Sequence, residues 1–220
     1  YQSTPSSVSF VADASILHEY CTSLTSDLKT PVFAGKISNQ NIHAIQQADY
    51  IIITHASFLN EAKRLGDFHQ KTDGYTYCVV TTDQIFNEFS SGRQDATALR
   101  DFIRMLYLRN NQSGQRPVKF AALMGDGSYI NRSRNLINNS NLVPTYQSNN
   151  SLSSTVSLAT DDFYGMMDDN EGSYAELSGD PDIGIGRFPC RTVTEVRAVL
   201  DKIEHYYSTD NNIQLTASNP

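Results

Sequence analysis

From residue 48 onward the apolar positions of this chain fall into two kinds of run that alternate. Residues 48–54 hold Tyr50, Ile51, Ile52 and Ile53 in succession, a short apolar run suited to a strand buried on both faces. Residues 57–70 then place Phe58, Ala62, Leu65 and His69 on one helical face, and 75–81 is the next strand-length run. A short helical turn over 83–89 follows. Leu99, Phe102, Ile103 and Leu106 recur at helical spacing and predict an amphipathic helix over 95–109, ahead of a third buried strand at 118–124.

An Asn- and Ser-rich irregular stretch follows, over 125–157. The regular pattern resumes with a short strand at 183–187 and a helix at 192–207 that buries Val196, Val199, Leu200, Ile203 and Tyr207. Thr192 and Glu195 have the spacing of a capping box at its start. Strands alternating with helices of this length predict an α/β fold: a three-layer sandwich with a mostly parallel sheet, right-handed crossovers and helices on both faces. Residues 1–48 carry Ser, Thr and Asn with scattered apolar positions (Val8, Phe10, Val11, Val32, Phe33) and read as extended segments, the tail of a preceding β domain. The α/β domain then occupies 49–210, and 211–220 is a polar tail.

Charge removes some classes of function. Seventeen Lys and Arg against 24 Asp and Glu give a formal charge of −7, which repels a phosphate backbone, so no nucleic-acid partner is expected. No apolar run reaches the ~20 residues of a membrane-spanning helix. Cys21, Cys78 and Cys190 are too few and too far apart for a disulfide scaffold. The first residue is Tyr1 rather than Met, no signal segment is present and the last residues are polar, so the sequence reads as a piece of a longer precursor.

In a parallel sheet the chemistry gathers at the strands' carboxyl ends. That rule selects His55, the turn Gly125-Asp126-Gly127, and Arg187-Phe188-Pro189-Cys190. Asp126 leaves its strand between two glycines, an arrangement that also serves a plain turn cap. Asp161, Asp162, Asp168, Asp169, Glu171, Glu176, Asp180 and Asp182 follow with no Lys or Arg among them. Such density suits a hard cation held by oxygen ligands, so Asp126, Asp161 and Asp162 are the candidate ligands and calcium the candidate ion. A solvated acidic loop is the plainer reading of the same residues. Cys190 precedes a helix whose dipole could lower its thiol pKa, and His55 is a candidate base for it. Two further classes stay open: a binding module using the Asn-rich loop 131–154, and metal-dependent phosphoryl transfer through Asp126 and Asp161. The second lacks a phosphate-cradling Gly-Lys loop and an Asp-x-Asp strand end.

Blocks along residues 42–210 resemble the gingipain-like cysteine peptidases of the PorU type, the sortases of the type IX secretion system. They are Ala48-Asp49-Tyr50-Ile51-Ile52-Ile53-Thr54-His55, Val79-Val80-Thr81-Thr82-Asp83-Gln84-Ile85-Phe86, Leu123-Met124-Gly125-Asp126-Gly127-Ser128-Tyr129, Thr160-Asp161-Asp162-Phe163-Tyr164-Gly165 and Asp182-Ile183-Gly184-Ile185-Gly186-Arg187-Phe188-Pro189. The resemblance implies a caspase-like fold of two subdomains, of which this chain holds the first. It implies cysteine peptidase or transpeptidase chemistry that removes C-terminal sorting signals from exported cargo. Location would be secreted or on the bacterial surface, at the extracellular side of the outer membrane. Expected partners are the second catalytic subdomain of the same parent chain, protein substrates with sorting signals, and other components of the secretion system. The family's catalytic Cys and His-Gly pair lie in the second subdomain, and none of the five histidines here precedes Gly. No catalytic residue is therefore assigned, and the chain alone is expected to be inactive. Related gingipains bind calcium in this half, which adds to the case for the acidic loops.

Overall fold

The computed structural model describes residues 2–4, 7–13, 15, 17–21, 23–33, 35–46, 48–113, 117–130, 141–148, 153, 157–169, 171–172 and 179–210. Most of the Asn-rich loop 131–154, Glu176 and the polar tail 211–220 lie outside these residues. The chain divides into two units, Tyr1–Asn39 and Gln40–Pro220. In the first, β1 (Gln2–Thr4) pairs antiparallel with β2 (Ser7–Ser9). Among the described residues of the remainder, Thr25–Asp27 forms a 3-10 turn, and Phe10, Val11, Val32 and Phe33 are exposed.

The second unit contains β3 (Tyr50–Thr54), α1 (Leu59–Asp73), β4 (Tyr77–Thr81), α2 (Thr82–Phe89), α3 (Ala96–Ser113), β5 (Phe120–Met124), β6 (Tyr146–Gln147), β7 (Ala159–Thr160), β8 (Gly184–Phe188) and α4 (Val193–Asp210). Four strands form one parallel sheet in the order β4-β3-β5-β8, with Ile52 level with Val79 on one side and Ala122 on the other. All five residues of β3 are buried, which is why its apolar run is continuous rather than alternating. Ile51 and Ile53 join Leu99, Phe102, Ile103 and Leu106 of α3 on one face, whereas Tyr50 and Ile52 join Ala62 and Leu65 of α1 and Val196 and Leu200 of α4 on the other. Burying each of the three isoleucines contributes about 1.5–3 kcal/mol over an exposed position. The result is the three-layer sandwich expected from the sequence.

Local sequence sets the element ends. Gly74, at φ +69°, closes α1 with its N–H on the His69 carbonyl, a left-handed cap that costs glycine no Cβ clash. Thr81 and Gln84 form a full capping box at the start of α2. Ahead of β3, residues 40–44 clip onto α2: Glu88 accepts from Gln40 Nε2 (2.9 Å), the Ile42 amide (2.8 Å) and His43 Nδ1 (2.5 Å). Among the described residues no helix is long and apolar enough to cross a membrane.

Candidate functional site

The chain leaves β3 toward β4 on one side and later places β5 on the other, so the order of connection reverses between β3 and β5. A crevice at the carboxyl ends of such strands is the usual binding place in open α/β sheets. Three segments meet there: His55 after β3, 125–128 after β5, and 187–191 at the end of β8.

Arg187 is the centre of this cluster. Its Nε and Nη2 donate to Asp161 Oδ2 and Oδ1 at 2.6 and 2.7 Å, the planar fork matching the carboxylate. Nη1 donates to the carbonyls of Gly125 (2.8 Å) and Val143 (2.7 Å), and Nη2 also to that of Pro144 (3.3 Å). Tyr164 donates its hydroxyl to the same Pro144 carbonyl at 2.5 Å, and burial, the main influence on its phenol, pushes the pKa upward so that it remains a donor. Gly125 and Gly127 let the loop over 142–145 lie this close. A Cβ at Gly125 would stand 2.9 Å from Val143 Cγ2, and one at Gly127 would stand 2.6 Å from Thr145 Cγ2. Gly125 also has φ +151°, within the range that L residues avoid.

Asp126 is braced separately. Arg191 Nε donates to its Oδ2 at 2.7 Å, its amide donates to the Cys190 carbonyl, and its own carbonyl accepts from the amides of Leu142 and Val143. Next to it, Glu195 accepts from the Thr192 amide (3.2 Å) while Thr192 Oγ1 accepts from the Glu195 amide (3.2 Å). This is the capping box that the sequence predicts at the start of α4.

Each candidate residue can now be placed. Asp161 and Asp126 both carry arginine partners, and Asp162 is exposed beside them with its amide on Thr160 Oγ1. Among the described residues no group of three or more His, Cys, Asp or Glu is gathered as a metal site. Two arginines of α3 reach the described part of the acidic stretch, chiefly at its backbone. Arg100 of α3 donates to the Met166, Asp168 and Glu171 carbonyls, and Arg104 to the Met167 carbonyl and to Asp169. These arginines lie more than 60 positions away in sequence, so no local pattern could have shown them. His55 turns its Nδ1 to Ser57, 2.7 Å from the hydroxyl and 3.3 Å from the amide. The side chain accepts from the Ser57 amide and so caps the turn at residues 56–58. Cys190 is buried, and its pKa is raised by that burial and by the nearby Glu195 and Asp126 carboxylates. Burial first, and the two carboxylates after it, disfavour the thiolate at this position. His55 and Cys190 share no hydrogen bond.

A four-stranded parallel sheet covered by helices on both faces, with a braced polar cluster at its carboxyl ends, defines a three-layer α/β domain. The sequence model of Peptidase family C25 matches residues 43–219, and the chain belongs to that family. Among solved structures it is similar to dimeric latent PorU from Porphyromonas gingivalis, at 34% identity and a TM-score of 0.69 over 82% of this chain. The chain spans 18% of that PorU chain. A weaker likeness, at 16% identity and TM-score 0.44, is to the complex of RgpB pro- and mature domains from the same organism, covering 71% of this chain and 28% of that one. No curated protein matches.

Proposed function

We propose that this chain is the first, non-catalytic part of a gingipain-like cysteine peptidase or transpeptidase, of the sortase kind that processes C-terminal signals of secreted cargo at the bacterial surface. The observation that carries this reading is the state of the thiols in a member of a cysteine peptidase family. Cys190 and Cys78 both have pKa values raised by burial, Cys78 to about 12, and among the described residues no cysteine bonds to a histidine. Thiolate chemistry needs a base within about 2.6–3.2 Å of the nucleophile. The Arg187–Asp161 and Arg191–Asp126 pairs then serve as a rigid floor at the strand ends, beside which a second subdomain supplies the nucleophile and base. The similarity to PorU supports the sortase reading and the surface location.

The test is peptide hydrolysis by the purified chain, across substrates differing in the residue before the scissile bond. No turnover is expected. Turnover that disappears in Cys190→Ala would overturn the reading.

A further inference from the structure

Residues 40–45 lead into the α/β unit and hold to it chiefly through two charged side chains. On α2, Glu88 accepts from Gln40 Nε2 (2.9 Å), from the amides of Ile42 (2.8 Å) and His43 (3.3 Å), and from His43 Nδ1 (2.5 Å). On α3, Arg109 Nη1 donates to the carbonyls of His43 (3.0 Å) and Ile45 (2.5 Å). A carboxylate thus meets the strap's N–H groups and a guanidinium its carbonyls. Gln40 Nε2 adds a bond to the Gln84 carbonyl at 2.8 Å, and the His43 ring stacks on Phe89 at 4.5 Å.

What holds the sheet is missing here. No described strand pairs with the strap, its regular part is the 3-10 turn Ile42–Ala44, and Ile42 is the one buried residue among 40–45. In contrast, β3 is buried at all five positions and paired on both sides. Segments with few buried apolar contacts open locally, at a lower free energy than the core they rest on. Four hydrogen bonds that share one charged acceptor form and break together, and charge-assisted bonds are about twice as strong as neutral ones.

The place of the strap gives its opening a consequence. The boundary between the two units falls between Asn39 and Gln40, where the strap begins. Beyond the strap the chain is fixed again, because Ala48 is fully buried and the Asp49 amide donates to the Thr76 carbonyl at 2.9 Å. Closed, the strap tethers residues 1–39 at Gln40. Open, it moves the anchor to Ala48, and the chain between them adds about 25–30 Å of reach.

We propose that residues 40–45 are a latch with Glu88 as its catch, opening as one unit while the sheet stays folded and so lengthening the tether between the two units.

Hydrogen exchange of the 220-residue chain, read by NMR over a range of sub-denaturing urea concentrations, tests it. The amides of Ile42 and His43 report on the catch, and those of Ala44 and Ile45 on the turn. All four are expected to share one protection factor, about tenfold or more below that of residues 51–53 and independent of urea, while 51–53 follow the urea dependence of global unfolding. Glu88→Gln keeps the shape of the catch without its charge and is expected to speed exchange of all four by about tenfold. Val196→Ala, in the core on the opposite face of the sheet from Ile42, is expected to speed 51–53 and leave 42–45 unchanged. The proposal is overturned if 42–45 are unprotected, or if they exchange with the protection and urea slope of 51–53. It is equally overturned if Val196→Ala speeds both groups alike, or if Glu88→Gln leaves 42–45 unchanged.

Discussion

Arg187 and Asp161 meet through two nitrogens and two oxygens at 2.6 and 2.7 Å, and the same guanidinium holds three carbonyls of the loops around it. One side chain from the last strand thus fastens the end of β5, the loop at 143–144 and the turn at 161. Both partners are mostly buried, with side chains 12% and 23% exposed.

Removing one member of such a pair leaves the other charge poorly compensated, at a cost of about 3–5 kcal/mol. Arg187→Ala is therefore expected to lower unfolding free energy by about 3 kcal/mol, and Arg187→Lys to recover only part, since an ammonium cannot fork onto a carboxylate and three carbonyls. Urea unfolding of both variants and of Asp161→Asn checks this. A loss for Arg187→Ala no larger than the ~0–1 kcal/mol of a surface pair would show that the clamp is not what holds these loops.

Glu88 gives the strap at 40–44 a pH dependence. Burial raises its pKa, but hydrogen bonds from the Ile42 amide, Gln40 and His43 outweigh that and hold it at about 2, below the ordinary 4.5. A depressed folded-state pKa contributes stability that is fully present above 4.5 and is lost as pH falls toward 2. The melting temperature should therefore fall across that window, and Glu88→Gln should flatten the fall while costing about 1.5–3 kcal/mol at neutral pH. An equal slope in parent and variant would contradict the assignment.

A cation at Asp126, Asp161 and Asp162, which the sequence suggests, has to displace Arg191 and Arg187 from the first two. The arginine pairs predict a melting temperature unchanged by millimolar calcium or by chelator. A calcium-dependent rise that Asp161→Asn abolishes would show that the ion outcompetes the guanidiniums.

How much of this was legible in the sequence follows from range. Ile51, Ile52 and Ile53 announce a doubly buried strand, and Leu99, Phe102, Ile103 and Leu106 a helix, because both patterns are local; the structure places all seven in the core. The capping box of Thr192 and Glu195 was equally visible. Tyr146 and Met167, buried in the same core as α3, lay hidden because a two-residue strand and a short irregular segment leave no periodicity to read. The acidic stretch looked uncompensated for a similar reason. Its arginines come from α3 and β8, and only folding brings Arg100, Arg104 and Arg187 to it. The strap onto Glu88 spans 44 or more positions and was equally beyond local pattern. His55 and Cys190 were located at strand ends correctly, but their chemistry depended on Ser57, Glu195 and Asp126 as neighbours.

The most direct test of the account is labelling of the native chain by a peptide-based, thiol-reactive activity probe, with the modified cysteine identified by mass spectrometry. The account predicts no probe-specific labelling of Cys78 or Cys190, because burial raises both thiol pKa values and among the described residues no histidine is hydrogen-bonded to either sulfur. Rapid labelling of Cys190 that His55→Ala abolishes would contradict it.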